Sequence, residues 1–338
     1  MSRCMIIAEI GVNHNGNLGL AKELVDAAAQ SGADVVKFQV FKSEAVISQF
    51  APKARYQKET TGSDGSQLEM VRKLELDDDA FQDLFRYCSQ RGVSFLASPF
   101  DLRAVDFLAA LGVSSIKIPS GEITNLPYLR KVGNLRKKCI LSTGMCTLGD
   151  VEQALGVLEQ QGMTPDLVCL LHCTTEYPAP HSEVNLRAML TLQSAFPGYS
   201  IGYSDHTVGP QVAIAAVALG ATVIEKHFTL DKNMEGPDHK ASLNPREMAE
   251  LVSSIRDVEA ALGDGRKRPM PSEASNMRVA RKSIVAAASI RAGDLMDERN
   301  LTVKRPGSGL SPMLWDEVCG TRATRDYFID ELIEPGIK

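Results

Sequence analysis

The chain has 338 residues, of which 44% are hydrophobic and 23% are charged, and its formal net charge at pH 7 is -5. This length suits one large domain with a small second one, and the composition is that of an ordinary globular protein. A mild negative charge without a basic cluster argues against a nucleic-acid or membrane partner. The seven cysteines are scattered and form no CxxC pair, which favours reduced thiols over disulfides or a metal cluster.

The N-terminus predicts no export signal, because its short apolar run Met5–Ala8 is interrupted at once by Glu9. No stretch approaches the roughly 18 consecutive apolar residues of a transmembrane helix. We therefore expect a cytoplasmic protein. An anionic small-molecule substrate remains compatible with the net charge, since a local pocket need not share it.

Eight short runs rich in Val, Ile, Leu and Phe follow one another before residue 263. Continuous apolar runs of this length are typical of strands that are buried on both faces. Most of the stretches between them carry helical periodicity. The runs are Met5–Val12, Asp34–Val40, Ser94–Ser98, Ser115–Ile118, Lys138–Ser142, Val168–Cys173, Ser200–Gly202 and Thr222–His227.

Three of the connections carry clear helix signals. Apolar residues recur at helical spacing over Leu18–Ala28, and the wholly apolar stretch Val212–Leu219 is closed by Gly220. The last helix begins with Asn244 as a cap and Pro245 at the first helical position. Eight strands alternating with helices predict a (β/α)8 TIM barrel, with a doubly wound open sheet as the alternative. No GxGxxG or P-loop motif follows any strand, so a nucleotide-binding version has little support.

Two further segments differ from this alternation. The connection from Phe41 to about Asp77 is unusually long and is interpreted as a functional lid, on the stretch Tyr56–Gly62 in particular. A charged, proline-containing stretch follows Gly263, and after it the strands become short and the turns frequent. We predict a catalytic barrel over 1–263, a linker over 264–280 and a small appended domain over 281–338.

The polar residues at the predicted strand ends are the candidates for chemistry, because a barrel of this kind works at the C-terminal ends of its strands. Lys37 and Lys117 could bind a multiply charged anion together with nearby hydroxyl groups. His206 and His227 could hold one metal ion and leave positions open for water or substrate. Glu9 faces the same space and could orient a water or move a proton. The nearby hydroxyl groups are those of Ser98, Ser120 and Ser142.

Each candidate also has a structural interpretation. A strand-end lysine is most often solvated or ion-paired, a lone histidine is most often a satisfied structural group, and a serine near glycine is commonly a turn residue. The functional interpretation gains because all eight strand ends are polar at once. His172 is left open between the two. His14, His181 and His239 are not expected to be ligands, and Cys169 and Cys173 are expected in the core.

Nine motifs carry a resemblance that spans nearly the whole chain. They are Ala8–Gly16, Val36–Gln39, Lys117–Asn125, Leu141–Met145, His172–Pro178, Gly202–His206, Glu225–Phe228, Gly236–Ser242 and Val303–Gly307. In this order the motifs resemble the bacterial sialic acid synthase family, which comprises the N-acetylneuraminate synthases and their legionaminic and pseudaminic acid relatives.

The resemblance implies a barrel with a C-terminal antifreeze-like (SAF) domain, in a domain-swapped homodimer where the SAF domain of one subunit caps the active site of the other. It implies phosphoenolpyruvate and an N-acylated mannosamine-type sugar as substrates. It also implies a divalent cation on His206 and His227, typically manganese, with magnesium or cobalt as alternatives. In the implied reaction the cation polarises the sugar aldehyde, C3 of phosphoenolpyruvate attacks it, and a water positioned by Glu9 adds to C2 before phosphate leaves.

The resemblance also assigns residues to the two substrates. Ser98 stands where some members have threonine and keeps the hydroxyl, whereas Thr175 stands where some have asparagine. The positions that match phosphoenolpyruvate binding are Lys37, Ser98, Lys117, Ser120, Ser142, Thr175 and Ser204. Those that match sugar binding are Gln39, Glu122, Tyr177 and Asp238, with Arg305 reaching across from the partner subunit.

The favoured interpretation within the family is an N-acetylneuraminate synthase that uses N-acetylmannosamine, and it depends on the stretches Ala51–Lys58 and Gly236–Ser242. The alternative is a legionaminic acid synthase that uses 2,4-diacetamido-2,4,6-trideoxymannose. A different class, a non-catalytic sugar-phosphate binding protein, is disfavoured because Glu9, both lysines and both histidines are retained. Independent binding of ice or carbohydrate by the small domain is disfavoured by the Arg305 motif.

Overall fold

The computed structural model describes residues 3–53, 57–58 and 66–334. They divide into two compact units, 1–263 and 264–338. The interpretation of Tyr56–Gly62 as a lid falls mostly outside the described residues, as does the middle of the stretch Ala51–Lys58. Among the helices that are described, none has the combination of length and apolar character that crossing a bilayer requires.

The first unit contains eight parallel strands in one sheet, with the order β3-β2-β1-β8-β7-β6-β5-β4. The two end strands, β3 and β4, lie next to each other, so the sheet curves into a nearly closed barrel. The predicted (β/α)8 barrel is confirmed, and the open-sheet alternative is wrong. The strands are β1 Met5–Gly11, β2 Val35–Val40, β3 Ser94–Pro99, β4 Ser115–Ile118, β5 Lys138–Ser142, β6 Val168–Cys173, β7 Ser200–Asp205 and β8 Val223–His227.

Helices fill the connections and cover the outside of the barrel. The helix predicted from Asn244 begins there: the Asn244 side chain accepts the backbone N–H of Glu247, and the Glu247 carboxylate accepts the N–H of Asn244. The helices of this unit are α1 Leu18–Gln30, α2 Ser43–Val46, α3 Gln67–Arg72, α4 Asp78–Gln90, α5 Leu102–Leu111, α6 Leu126–Asn134, α7 Leu148–Gln160, α8 Ala188–Ala195, α9 Gln211–Ala218 and α10 Pro245–Leu262.

Two apolar layers stabilise the barrel. A large one lies between strands and helices, where outward-facing side chains such as Ile6, Phe38 and Leu141 pack on the helix faces. The second fills the inside of the barrel near the N-terminal ends of the strands, and we call it the barrel floor. It closes the barrel from below, so any cavity must open at the opposite end. The floor comprises Met5, Ile7, Val35, Leu96, Ile140, Cys169, Leu171 and Val223.

The second unit has its own small core. An antiparallel pair, β9 Ser283–Ala286 and β10 Leu301–Lys304, packs with Ile290, Met296 and Tyr327. Its helices are α11 Ala274–Ala280 and α12 Trp315–Val318. Residues 264–280, which we predicted as a linker, are grouped with this unit and contain α11.

Candidate active site

A cavity of about 450 Å³ opens at the C-terminal ends of the barrel strands. Every predicted site residue except Glu122 and Arg305 lines it. These residues come from elements that are far apart in sequence, so the fold brings the predicted set together. The predicted residues in the lining are Glu9, Lys37, Gln39, Ser98, Lys117, Ser120, Ser142, Thr175, Tyr177, Ser204, His206, His227 and Asp238.

The bottom of the cavity is one layer of inward-facing side chains, which we call the polar layer. Each strand contributes one residue, and each of these residues is buried. On six of the strands the contributing residue stands two positions after a member of the barrel floor, as Glu9 follows Ile7 and Lys37 follows Val35. The polar layer comprises Glu9, Lys37, Ser98, Lys117, Ser142, Cys173, Ser204 and Glu225.

Glu225 is the centre of a charge network that the sequence analysis missed. Its carboxylate lies 3.0 Å from Lys37 Nζ and 3.5 Å from Lys117 Nζ, and it accepts the hydroxyl of Ser204 at 2.8 Å. Lys37 also contacts Glu9 Oε2 at 2.7 Å. Two carboxylates therefore balance two ammonium groups in a site from which water is largely excluded.

Burial and charge act in opposite directions on these groups. Burial lowers the pKa of Lys37 to about 7, against the attraction of Glu225. For Glu225, burial by itself would raise the pKa, but the ammonium groups of Lys117 and Lys37 hold it well below its usual value. The carboxylate is therefore ionised at neutral pH and holds the two lysine side chains in position.

The two candidate metal ligands stand side by side at the end of β7 and in β8. The His206 and His227 ring centroids are 5.5 Å apart. Nδ1 of His206 donates to the carbonyl of Thr174 at 2.6 Å, which leaves Nε2 with its lone pair toward the cavity. The buried Nδ1 of His227 has no hydrogen-bond partner among the described residues.

Both imidazoles are kept neutral, which is the form that binds a metal. Burial lowers the pKa of His206 to about 4, and burial with the neighbouring His206 and Lys37 lowers the pKa of His227 well below its usual value. Within the described chain, three or more His, Cys, Asp or Glu side chains are nowhere grouped as a complete metal site. The pair therefore fits a divalent cation that takes its other ligands from water and substrate.

A buried ion pair fixes the turn that carries His206. Asp205 accepts Lys226 Nζ at 2.8 Å, and its other oxygen accepts both the N–H and the hydroxyl of Thr207. Asp205 and Lys226 alternate with the cavity-lining residues of β7 and β8, so they stand on the outward side of the barrel. Their contacts hold the turn that carries His206, and neither residue lines the cavity.

The hydroxyl groups of Ser120 and Thr175 flank a close backbone approach at Gly144. Ser120 Oγ accepts the N–H of Gly144 at 3.0 Å and lies 3.3 Å from Cys173 Sγ. A Cβ at position 144 would come within 2.3 Å of Thr175 Oγ1 and 2.8 Å of Ser120 Oγ. Any larger residue at this position would therefore displace these two hydroxyl groups. Cys173, which we expected in the core, is buried but lines the cavity.

The remaining predicted residues are placed as follows. Glu122 follows the lining residues Ser120 and Gly121, and its carboxylate accepts the side-chain amide of Asn125 at 2.6 Å. Arg305 belongs to the second unit, where its Nε donates to the carbonyl of Ala280 at 3.1 Å. His172, which the sequence left open, contacts the carbonyl of Val184 at 2.7 Å and is a structural group.

One side of the cavity is apolar, and the sequence analysis did not anticipate it. Most of its residues come from the long connection between β2 and α4, and the others follow β1 and β3. Three of them form a buried cluster of their own. We call this set the apolar wall, and it comprises Val12, Phe41, Val46, Ile47, Met70, Val71, Leu74 and Phe100.

Comparison with known proteins places the chain among enzymes that make nine-carbon acidic sugars. Residues 24–267 match the NeuB family and residues 281–336 match the SAF domain. The N,N'-diacetyllegionaminic acid synthase of Campylobacter jejuni is 56% identical over 98% of this chain and 99% of its own length. The enzyme of the same name from Legionella pneumophila is 45% identical over 94% of this chain and 90% of its own.

Solved structures agree with this placement. The N-acetylneuraminic acid synthetase of Leptospira borgpetersenii, determined with citrate, superposes with a TM-score of 0.72 at 32% identity. The match covers 82% of this chain and 90% of that protein. The predicted resemblance to sialic acid synthases is confirmed. The more similar relatives are named for the legionaminic sugar that we had placed second.

Proposed function

This chain belongs to the NeuB family, and from that membership we propose that it is an N,N'-diacetyllegionaminic acid synthase. It is a condensing enzyme that depends on phosphoenolpyruvate. The observation that carries the proposal is the 56% identity, over nearly the full length of both chains, to a relative with that activity. The proposed sugar is 2,4-diacetamido-2,4,6-trideoxymannose, which replaces the N-acetylmannosamine that we expected from two sequence stretches.

We assign phosphoenolpyruvate to the polar layer and the hydroxyl groups above it. Lys37 and Lys117 would bind its phosphate and carboxylate oxygens as point charges, while Ser120, Thr175 and the Gly144 backbone would give direction. Glu225 contacts both lysines, so it fixes the positions of both side chains in the polar layer. Lys117 Nζ also donates to Ser142 at 2.7 Å, which fixes its position further.

The reaction joins C3 of phosphoenolpyruvate to the aldehyde carbon of the open-chain sugar. A divalent cation on His206 and His227 would polarise that carbonyl as a Lewis acid. Water adds at C2 as the new bond forms, and the proton it releases passes by way of the carboxylate of Glu9 to the alkoxide left by the aldehyde. The C–O bond to phosphate then breaks as C2 becomes the ketone, and the proton of the C2 hydroxyl leaves with the phosphate. Glu9 is held for this role by Lys37 at 2.7 Å and by the Gln39 amide, which donates to it at 3.3 Å.

The remaining polar residues of the cavity are proposed to bind the sugar. Tyr177 packs on His206 with ring centroids 4.2 Å apart, and so stands beside the proposed aldehyde position. Gln39 and Asp238 line the same space. We keep Glu122 and Arg305 as proposed sugar contacts, with Arg305 acting on the second subunit of a homodimer. Loss of turnover in Arg305→Ala with the dimer intact would support that role, and unchanged kinetics would reject it.

The first experiment measures phosphate release by metal-stripped enzyme after manganese, magnesium or cobalt is added back. Phosphoenolpyruvate is supplied with the diacetamido sugar or with N-acetylmannosamine in parallel assays. We expect metal-dependent release, fastest with the diacetamido sugar. A preference for N-acetylmannosamine would return the assignment to N-acetylneuraminate. Absence of release with both sugars would reject a synthase of either kind.

A further inference from the structure

The apolar wall is built from a segment that is otherwise rich in charge. Between β2 and α4 the sequence includes Lys42, Glu44, Arg72 and Glu75, yet no charged side chain described in this segment lines the cavity. Arg72 pairs with Glu44 at 2.7 Å, and Lys42 lies 3.4 Å from Glu75. The segment therefore directs its charges away from the cavity and its apolar side chains into it.

The wall is packed tightly enough to act as a preformed surface. Phe41 and Leu74 are each 8% exposed, and the Phe41 ring meets that of Phe100 edge-on with centroids 6.4 Å apart. Val71 packs on the same cluster from α3. The described polar groups that the segment adds to the lining are two amides, Gln57 and Gln67, which hydrogen-bond to each other at 3.2 Å.

The wall and the two histidines follow different strands. Six of its eight residues follow β2 and one follows β3, whereas His206 follows β7 and His227 lies in β8. Around the barrel β2 stands three strands from β7 and two strands from β8, and β3 stands opposite β7. We place the far end of a sugar whose C1 aldehyde is at the histidines toward the β2 and β3 side of the mouth. That far end carries C6.

We propose that the apolar wall selects the sugar by receiving a C6 methyl group, so that the enzyme favours 6-deoxy sugars over their 6-hydroxy counterparts. This inference rests on the proposed function for the reaction itself. N-acetylmannosamine carries a hydroxyl at C6, whereas the diacetamido sugar carries a methyl group. A hydroxyl pressed on apolar side chains loses its hydrogen bonds to water, and such a pocket discriminates by up to roughly 10²-fold.

The test isolates C6 from the substituent at C4. kcat/KM is measured for N-acetylmannosamine and its 6-deoxy analogue, and for the diacetamido sugar and its 6-hydroxy analogue. The 6-deoxy member should be preferred in both pairs, by about 10–10²-fold. Equal rates within both pairs would overturn the inference.

Two variants on α3 locate the effect. Met70 lines the cavity, whereas Leu68 stands on the same helix, is similarly half-buried and does not line the cavity. Met70→Gln should reduce the 6-deoxy preference about tenfold, and Leu68→Gln should leave it unchanged. An equal change in both variants would attribute the effect to the stability of the helix and reject the wall. Val71→Thr, which keeps the side-chain volume, repeats the test if Met70→Gln fails to fold.

Failure of this inference and failure of the proposed function give different results. If the diacetamido sugar turns over well but C6 makes no difference, the function stands and the wall does not select. If the diacetamido pair is inert while 6-deoxy-N-acetylmannosamine is favoured over N-acetylmannosamine, the wall selects and the assigned product is wrong.

Discussion

The barrel floor and the polar layer are formed by the same strands, and on most strands their residues stand only two positions apart. Ile7, Val35 and Val223 belong to the floor, and two residues further on the inward side chain is charged: Glu9, Lys37 and Glu225. Since side chains at i and i+2 share a face, both layers have the same backbone geometry. The strand therefore fixes the direction of each side chain. The chemical type of that side chain decides whether it stabilises the barrel or contributes to the site.

The two layers separate stability from catalysis along the axis of the barrel. In barrels of this class the N-terminal end serves stability and the C-terminal end serves catalysis. Here both are buried, so burial by itself does not distinguish them. What distinguishes the polar layer is that two lysines and two glutamates are in contact there, whereas the floor is apolar.

Replacing Lys117 by methionine should have the largest effect, because it puts an apolar side chain, typical of the floor, in the polar layer. We expect kcat/KM for phosphoenolpyruvate to fall about 10³-fold, since one preorganised charge on the anion is lost. Steady-state kinetics with calorimetric binding of phosphoenolpyruvate measure this. Lys131→Met, at a surface lysine paired with Asp106, is the matched control and should leave both unchanged. A fall below tenfold in Lys117→Met would remove Lys117 from the substrate site.

A substitution in the barrel floor should affect stability instead of catalysis. Leu171 is fully buried there, two residues before Cys173. Leu171→Ala should lower the free energy of unfolding by about 3 kcal/mol, because it leaves a cavity in packed aliphatic surroundings. Urea unfolding measures the loss, and kcat/KM of the folded variant at 20 °C should stay within about threefold, since no polar-layer side chain changes. A selective loss of kcat/KM in the folded protein would show that the floor also tunes the chemistry.

Asp238 is a second kind of buried carboxyl in the cavity lining, because burial rather than a neighbouring charge sets its pKa. Burial raises the pKa of Asp238 from 3.8 to about 6. The folded state then holds this proton more tightly than the unfolded state, so the carboxyl destabilises the fold increasingly as pH rises from about 4 to about 6. For Glu225, whose pKa is held low by two lysines, the contribution to stability has the opposite dependence on pH: it increases as pH rises.

We therefore expect Asp238→Asn to be more stable than the parent above pH 6 by about 3 kcal/mol, with the difference vanishing near pH 4. Urea unfolding across this pH range provides the measurement. Glu235→Gln, at an exposed carboxylate on the same loop, is the matched control. A stability difference for Asp238→Asn that does not change with pH would contradict the raised pKa.

Much of the fold could be predicted because apolar runs and helix-capping residues are local features of the sequence. Apolar runs located all eight barrel strands, and capping residues set the start of α10. The prediction for β7 stopped at Gly202, whereas the strand runs to Asp205. The polar character of Ser204 and Asp205 concealed the strand, since one hydroxyl bonds Glu225 inside the barrel and one carboxylate pairs with Lys226 outside it.

The candidate site was predictable wherever a residue ends a strand, and less so elsewhere. Glu225 was missed although the period of two was available: if His227 faces inward, the residue two before it does too. The apolar wall could not be found in this way, because no local pattern tells which side chains of a long connection return to the cavity. The strand ends do not decide between the two sugars either, and the comparison with known proteins favours the one that the sequence analysis placed second.

The smallest expected effect comes from replacing cysteine by serine. It compares the two layers most directly, because the same substitution can be made in both layers of one strand. Cys169 lies in the floor and Cys173 in the polar layer, four residues apart on β6. Cysteine packs as a small apolar group with a weak donor, and serine replaces it with a hydroxyl that must be satisfied.

In the polar layer that hydroxyl has a partner, since Cys173 Sγ already lies 3.3 Å from Ser120 Oγ. Cys173→Ser should therefore change the free energy of unfolding by less than about 0.5 kcal/mol, with kcat/KM within about threefold. Cys169→Ser places a hydroxyl among aliphatic side chains, where Thr222 Oγ1 lies 3.9 Å from the sulfur, and should cost about 1 kcal/mol. Urea unfolding of the two variants tests the difference. Equal costs would mean that both layers treat a hydroxyl alike, and the distinction between them would then rest on the charged residues alone.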